Sequence, residues 1–218
     1  MNTKTKKTAA LGMLAAVAYV AMLVGRFSLI PAVPFLLYDP KDVIIVIGGF
    51  IWGPFSAFII SLVVSLVEMV TVSDTGLIGC AMNIISTCSF ACTAAYIYKK
   101  RRTIDGAIIS LFAGVIFMVA VMVLWNYVLT PIYMKIPRAE VVKLLLPAIL
   151  PFNLIKGSLN AGLTILLYKP IVSGLRKTRF LPQPQSTKGN RINAGMVILG
   201  VFILVSCILI ILALKGIL

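Results

Sequence analysis

The segment LPFNLIKG, residues 150–157, places a carboxamide and an ammonium group three positions apart inside a sequence otherwise suited to a lipid bilayer. Helical positions three and four apart share a face. One face of this helix therefore carries a stripe of polar and small residues: Asn153, Lys156, Gly157 and Asn160. A lysine inside a membrane is costly, rarely faces lipid and usually marks a functional path. Two interpretations stay open: Lys156 binds a ligand, or it reaches the interface or pairs with an acid to hold helices together.

The composition around this segment predicts a polytopic α-helical membrane protein. Of the 218 residues, 61% are hydrophobic and only 12% are charged, and the mean hydropathy is +1.08. A soluble core cannot absorb so much apolar sequence, whereas several membrane spans can. The apolar runs are long and continuous, unlike the short alternating strands of a membrane β-barrel.

The apolar runs divide the chain into a bundle of six helices and one further helix. We expect a six-helix membrane domain over residues 1–175, a basic, proline-containing linker over 176–191 and an additional transmembrane helix within 192–218. The second predicted span, Asp42 to Trp52, is short. The fifth and sixth are predicted to end near Thr130 and Tyr168.

The formal charge of +14 does not indicate a nucleic-acid partner, because the basic residues lie in clusters between apolar runs. Such clusters mark cytoplasmic loops by the positive-inside rule. Lys4, Lys6 and Lys7, the cluster 99–102 and the basic linker fall on one side if the N-terminus is cytoplasmic. That orientation is the predicted one.

Several side chains converge at the predicted outer ends of the helices. At about 1.5 Å of rise per residue, polar groups from four spans lie at similar depth below the outer surface. They are Glu68, Asn83, Asn126, Asn153 and Lys156. The proline-rich loop 26–41 lies on the same side and is apolar enough to cover the bundle as a lid. A buried amide without a partner costs about 1–3 kcal/mol, so this cluster predicts either a ligand pocket or a closed polar network.

A planar heterocycle with carbonyls and ring nitrogens would satisfy these groups, and nearby aromatic residues could supply flat walls. The candidate walls are Phe152, Trp125, Tyr127 and Tyr38. No phosphate-binding loop occurs in the sequence, which excludes ATP hydrolysis by the chain itself. The absence of histidine excludes His-based catalysis and His metal ligands, and we predict no enzyme activity and no metal site.

Three segments, in this order, carry a resemblance to a known family: FLLYDPKDV (35–43), WNYVLTPIY (125–133) and PFNLIKG (151–157). They resemble the riboflavin-specific S component of energy-coupling factor (ECF) transporters, over roughly residues 5–175. The resemblance implies a six-helix protein of the bacterial cell membrane that captures riboflavin from outside. It also implies assembly with a transmembrane coupling protein and two ATPase subunits, and no cofactor besides the transported riboflavin.

The same resemblance implies roles for individual residues. Asn126, Asn153 and Lys156 would hydrogen-bond the isoalloxazine ring, and the loop around Leu36, Tyr38 and Asp39 would close over it.

In the first helix, the family meets the coupling protein through a pair of alanines four residues apart. Gly12 and Ala16 stand at those positions here. Small residues at this spacing let another helix approach closely, either a partner's or one of the chain's own.

Two other functions remain open: an S component for another vitamin, such as thiamine or a flavin relative, and a structural membrane protein without a ligand. The final apolar run lies beyond the family pattern, which closes after six helices, and the resemblance does not explain it.

Overall fold

The computed structural model describes residues 3–30, 33, 36–178, 180–181 and 194–217. These residues form eight α-helices, one π-helical turn and a pair of two-residue strands. The helices are α1 (Thr3–Gly25), α2 (Lys41–Trp52), α3 (Pro54–Thr71), α4 (Gly76–Lys100), α5 (Ile104–Met134), α6 (Arg138–Leu144), α7 (Leu150–Lys177) and α8 (Ala194–Leu214). The π-helical turn Leu145–Ile149 joins α6 to α7, and β1 (Phe27–Ser28) pairs antiparallel with β2 (Leu37–Tyr38).

Within the described ranges, six helical segments are long and apolar enough to cross a membrane: α1, α3, α4, α5, the continuous α6–α7 segment and α8. Helix α2 has 12 residues, or about 18 Å at 1.5 Å per residue, which is too short for a hydrocarbon core of about 30 Å. The predicted all-α polytopic membrane fold is confirmed, with α8 as the additional C-terminal helix. The short second span predicted from Asp42 to Trp52 corresponds to the buried helix α2. The cytoplasmic position of the N-terminus stays a prediction.

Helix α2 forms the centre of the bundle. Every residue from Lys41 to Phe50 is buried, and the helix packs against α1, α3, α4 and α7. A helix that is apolar on all sides is stable only when surrounded. Small residues permit this close packing: a Cβ atom on Gly49 would lie 2.9 Å from the Cβ of Ala95. Because α2 is short and central, the charged residues at its amino end lie inside the bundle.

Two helices extend past the ends predicted for them. Helix α5 continues through Pro131 to Met134, and α7 continues through Pro170 to Lys177. A proline removes one backbone hydrogen bond, and neighbouring helices in a membrane bundle can compensate for that loss. The predicted domain boundary at residue 175 therefore falls inside α7.

The other segment boundaries are described only in part. Of the predicted linker 176–191, residues 176–178 complete and follow α7, whereas Arg179 and residues 182–191 lie outside the described residues. In the predicted lid loop, residues 31–32 and 34–35 also lie outside them.

Candidate functional site

A cavity lies at one end of the bundle, between the loop that follows α1 and the helices α3, α4, α5 and α7. Of the eight residues predicted to contact a ligand, seven line it: Leu36, Asp39, Glu68, Asn83, Asn126, Asn153 and Lys156. Four helices and a loop thus bring these seven side chains together, although the first and the last, Leu36 and Lys156, are 120 positions apart in the sequence. The remaining wall is largely apolar, with Met82, Leu129 and Phe152 among its members.

The two buried amides of the cavity are anchored to their own helices. The Asn126 Nδ2 atom donates to the carbonyl oxygen of Met122 at 2.7 Å, and its Oδ1 accepts from the Thr130 hydroxyl at 3.0 Å. The Asn153 Nδ2 atom donates to the carbonyl oxygen of Ile149 at 2.8 Å. An amide has two N–H donors and two acceptor lone pairs. Each of these side chains is therefore fixed by the protein while keeping capacity for a ligand.

Lys156 is buried at the cavity wall, with 4% of its surface exposed. Its Nζ atom lies 3.7 Å from Asp39 Oδ2 and 3.9 Å from Asp42 Oδ2. Both distances are longer than a good charge-assisted hydrogen bond. The neighbouring Gly157 lets α7 pack closely against α5, since a Cβ there would lie 2.9 Å from Val115 Cγ1 on α5. The ammonium is thus held by charge, while its N–H groups remain able to donate to a ligand.

Lys156 belongs to a larger, mostly buried cluster of balanced formal charge, which we call the ion cluster. Its cations are Arg26, Lys41 and Lys156, and its acids are Asp39, Asp42 and Glu68. Lys41 Nζ lies 2.5 Å from Glu68 Oε2 and 3.5 Å from Asp39 Oδ2. Buried charges are tolerated only when paired and hydrogen-bonded, and this cluster meets that requirement.

Further hydrogen bonds complete the ion cluster. Asp42 Oδ1 accepts from the Thr87 hydroxyl at 2.6 Å, and Asp42 Oδ2 accepts from Asn160 Nδ2 at 3.2 Å. Burial alone would raise the pKa of Asp39, but the ammonium groups of Lys41 and Lys156 outweigh burial and hold that pKa below its usual value. Asp39 therefore stays ionised beside the cavity at neutral pH. Lys156 thus pairs with acids, one of the two roles left open by the sequence, and it lines the cavity in which the other role, ligand binding, would take place.

Tyr38 is the one residue predicted to contact a ligand that does not line the cavity. Its side chain is buried outside the cavity lining, where its hydroxyl donates to Asn160 Oδ1 at 3.1 Å and its ring packs 5.2 Å from that of Phe27. Among the predicted aromatic walls, Phe152 lines the cavity. Tyr127 is exposed on the outer face of α5. Tyr38 thus orients the loop rather than forming the cavity surface.

Sequence reasoning missed three members of the ion cluster: Arg26, Lys41 and Asp42. Lys41 and Asp42 are fully buried, and Arg26 lines the cavity. Two signals could have found them. The first signal is the charged run DPKD, residues 39–42, at the start of a short apolar helix, which indicates charges drawn into a bundle. The second signal is Arg26, a cation on the predicted outer side of the membrane, where the positive-inside rule disfavours basic residues.

The predicted docking residues lie on the outer surface of α1. Gly12 and Ala16 are both exposed, and no atom of the described residues lies within 4 Å of a Cβ built on Gly12. The small pair therefore belongs to the exposed surface of α1.

Comparisons with known proteins agree with this architecture. The family of ECF transporter substrate-specific components matches residues 6–168. The chain belongs to this family. It is 30% identical over 181 residues to the riboflavin transporter RibU of Staphylococcus aureus, covering 80% of this chain and 94% of that protein. It is also 30% identical over 164 residues to the riboflavin transporter FmnP of Bacillus subtilis, covering 71% of this chain and 85% of that protein.

A solved structure shares the fold of this S component. It is the S component of a bacterial ECF transporter, 31% identical, with a TM-score of 0.67 and coverage of 79% of this chain and 99% of that one. The present chain is therefore a multi-pass membrane protein and a component of a transporter. Helix α8 lies outside the residues that the family matches.

Proposed function

We propose that this S component binds riboflavin from outside a bacterial cell and delivers it inward as part of an ATP-driven ECF transporter. The observation that carries the proposal is the position of Lys156. Its ammonium group lies at the wall of the cavity beside Asn153, held by two carboxylates that leave its N–H groups able to donate. The relatives named riboflavin transporters support riboflavin as the guest.

The chemistry of the cavity suits an isoalloxazine ring. The ring edge carries two carbonyl oxygens and several nitrogens, which match the ammonium of Lys156 and the amides of Asn126 and Asn153. The ring faces are flat and apolar, which matches the aromatic and aliphatic wall that includes Phe152 and Leu129. In such a pocket the few fixed polar groups set the orientation of the ligand and provide specificity, while the apolar wall covers most of its surface.

The transport cycle follows from the proposed orientation. With the N-terminus cytoplasmic, the cavity opens to the outside, and the loop around Leu36 and Asp39 closes over the bound ring. The exposed pair Gly12 and Ala16 offers a small surface for a helix of the coupling protein. ATP hydrolysis belongs to the two partner ATPases, and the chain itself performs no reaction.

Flavin fluorescence tests the proposal directly. Titrating the purified protein into riboflavin should quench its fluorescence saturably at one riboflavin per protein, with submicromolar affinity. Thiamine, added in excess, should not compete. Absence of quenching would refute riboflavin as the ligand, and a saturable calorimetric signal with thiamine instead would favour an S component for that vitamin.

A further inference from the structure

Helix α8 is anchored to α7, the helix that carries Asn153 and Lys156. The two helices meet closely at a pair of glycines: a Cβ atom on Gly200 would lie 2.9 Å from Leu166 Cδ2 and 3.4 Å from the carbonyl oxygen of Gly162. Glycine at both positions lets two membrane helices approach to backbone contact. The position of α8 is therefore fixed relative to the cavity, although α8 does not line it.

Farther along, α8 reaches the loop at the cavity. We call its described residues 26–30, 33 and 36–40 the cavity loop. Cys207 and Ile211 of α8 are buried in one apolar cluster with cavity-loop residues and with residues of α7. From the loop, Leu29 and Val33 belong to this cluster, and they are 0% and 1% exposed. The apolar side of the cavity loop is therefore held in a cluster to which both α7 and α8 contribute.

Lys215, the first residue after α8, continues the same stripe. Cys207, Ile211 and Lys215 are spaced four apart, so they lie on one side of the helix axis. Lys215 Nζ lies 5.9 Å from the centre of the Phe27 ring, within reach of a cation–π interaction. Phe27 in turn packs against Tyr38. The residue that follows α8 thus contacts the first strand of the cavity loop.

The contacts continue from the cavity loop to the binding groups. Tyr38 belongs to the cluster that contains Cys207 and Ile211, and its hydroxyl donates to Asn160. Asn160 donates to Asp42, which lies 3.9 Å from Lys156 Nζ. A displacement of the loop is therefore coupled through direct contacts to the ammonium group at the cavity wall.

We propose that α8 braces the cavity loop against α7 and thereby slows the release of bound ligand. Ile211 and Cys207 are positioning residues, since they act through the loop and touch no ligand. The effect on ligand release rests on the proposed function, whereas the bracing of the loop does not. Closure of the loop over a ligand restricts its escape, so a looser loop raises the dissociation rate more than it lowers the association rate.

Matched substitutions on α8 test this proposal in the full-length protein. Ile211→Ala removes a buried side chain that belongs to the loop cluster, and Ile210→Ala removes the same side chain from a lipid-facing position that is 49% exposed. Ile211→Ala should accelerate riboflavin dissociation about tenfold, the equivalent of ~1.4 kcal/mol, with a little-changed association rate. The milder Ile211→Val should give a smaller acceleration, and Ile210→Ala none.

Hydrogen exchange separates this proposal from the proposed function, because it needs no ligand. In ligand-free protein, the backbone amides of Leu36–Asp39 should exchange faster in Ile211→Ala than in Ile210→Ala. Equal exchange in the two variants would overturn the proposed brace. If the wild-type protein binds riboflavin, an Ile211→Ala variant that releases riboflavin at the wild-type rate would overturn it as well. If Ile211→Ala shows faster loop exchange but the wild-type protein does not bind riboflavin, the proposed brace is upheld and riboflavin is refuted as the ligand.

Discussion

Replacing Lys156 with methionine separates its role in binding from its role in the ion cluster. Methionine keeps much of the length and apolar volume of the lysine stem but has no charge and no donor. The packing of α7 against α5 at Gly157 should therefore persist. What is lost is one of three cations in the ion cluster and one donor at the cavity wall.

The expected loss of binding exceeds the expected loss of stability. A hydrogen bond from a charged group is worth about 1.5–3 kcal/mol, which corresponds to a rise in Kd of about 10- to 150-fold. Removing the only partner of a buried charge costs about 3–5 kcal/mol of folding free energy. Here both acids keep other partners: Asp39 retains Lys41 at 3.5 Å, and Asp42 retains its hydrogen bond from Thr87 at 2.6 Å. The folding cost should therefore be well below that range.

Fluorescence titration and thermal unfolding in detergent measure the two effects on the same preparation. Lys143→Met serves as the control, because Lys143 is exposed at the same end of the bundle. It should leave riboflavin affinity and thermal midpoint unchanged. If Lys156→Met expressed and folded normally but bound riboflavin with wild-type affinity, Lys156 would be a structural ion-pair partner only, and the site assignment would be wrong.

Three further predictions concern the amides, the ion cluster and the docking surface. Asn126→Leu should weaken riboflavin binding by about 0.5–1.5 kcal/mol, the value of one neutral hydrogen bond, and unchanged affinity by titration would remove this amide from the site. Thr87→Val should lower the free energy of unfolding by about 1–3 kcal/mol, because Asp42 loses a buried hydrogen-bond donor. An unaltered thermal melting curve would show that this hydrogen bond is dispensable. Gly12→Leu should leave riboflavin binding intact in detergent but abolish most uptake by cells that contain the coupling proteins, since it fills the small exposed surface of α1. Normal uptake by that variant would exclude this face as the docking surface.

The sequence was sufficient for the membrane fold and for most of the cavity lining, because both depend on local patterns. Long apolar runs predict spans, and a polar group inside such a run predicts an inward-facing position. These patterns predict that Asn83, Asn126, Asn153 and Lys156 lie together, and each lines the cavity.

Features that depend on tertiary packing were not predictable in this way. The burial of Lys41 and Asp42 requires α2 to begin inside the bundle, which the charged run 39–42 indicates only together with the short apolar helix that continues it. The helix ends at Pro131 and Pro170 were misplaced because proline breaks an isolated helix but is tolerated within a supported one. The contact of α8 with the cavity loop joins residues almost 180 positions apart, and no local pattern encodes it.

A structure of the protein crystallised with riboflavin tests the central claim most directly. The account predicts the isoalloxazine ring in the cavity between α4, α5 and α7, with a ring carbonyl or nitrogen within about 3.2 Å of Lys156 Nζ and of an Asn153 amide atom. Riboflavin bound elsewhere in the protein, with this cavity empty and Lys156 still paired only with Asp39 and Asp42, would contradict it.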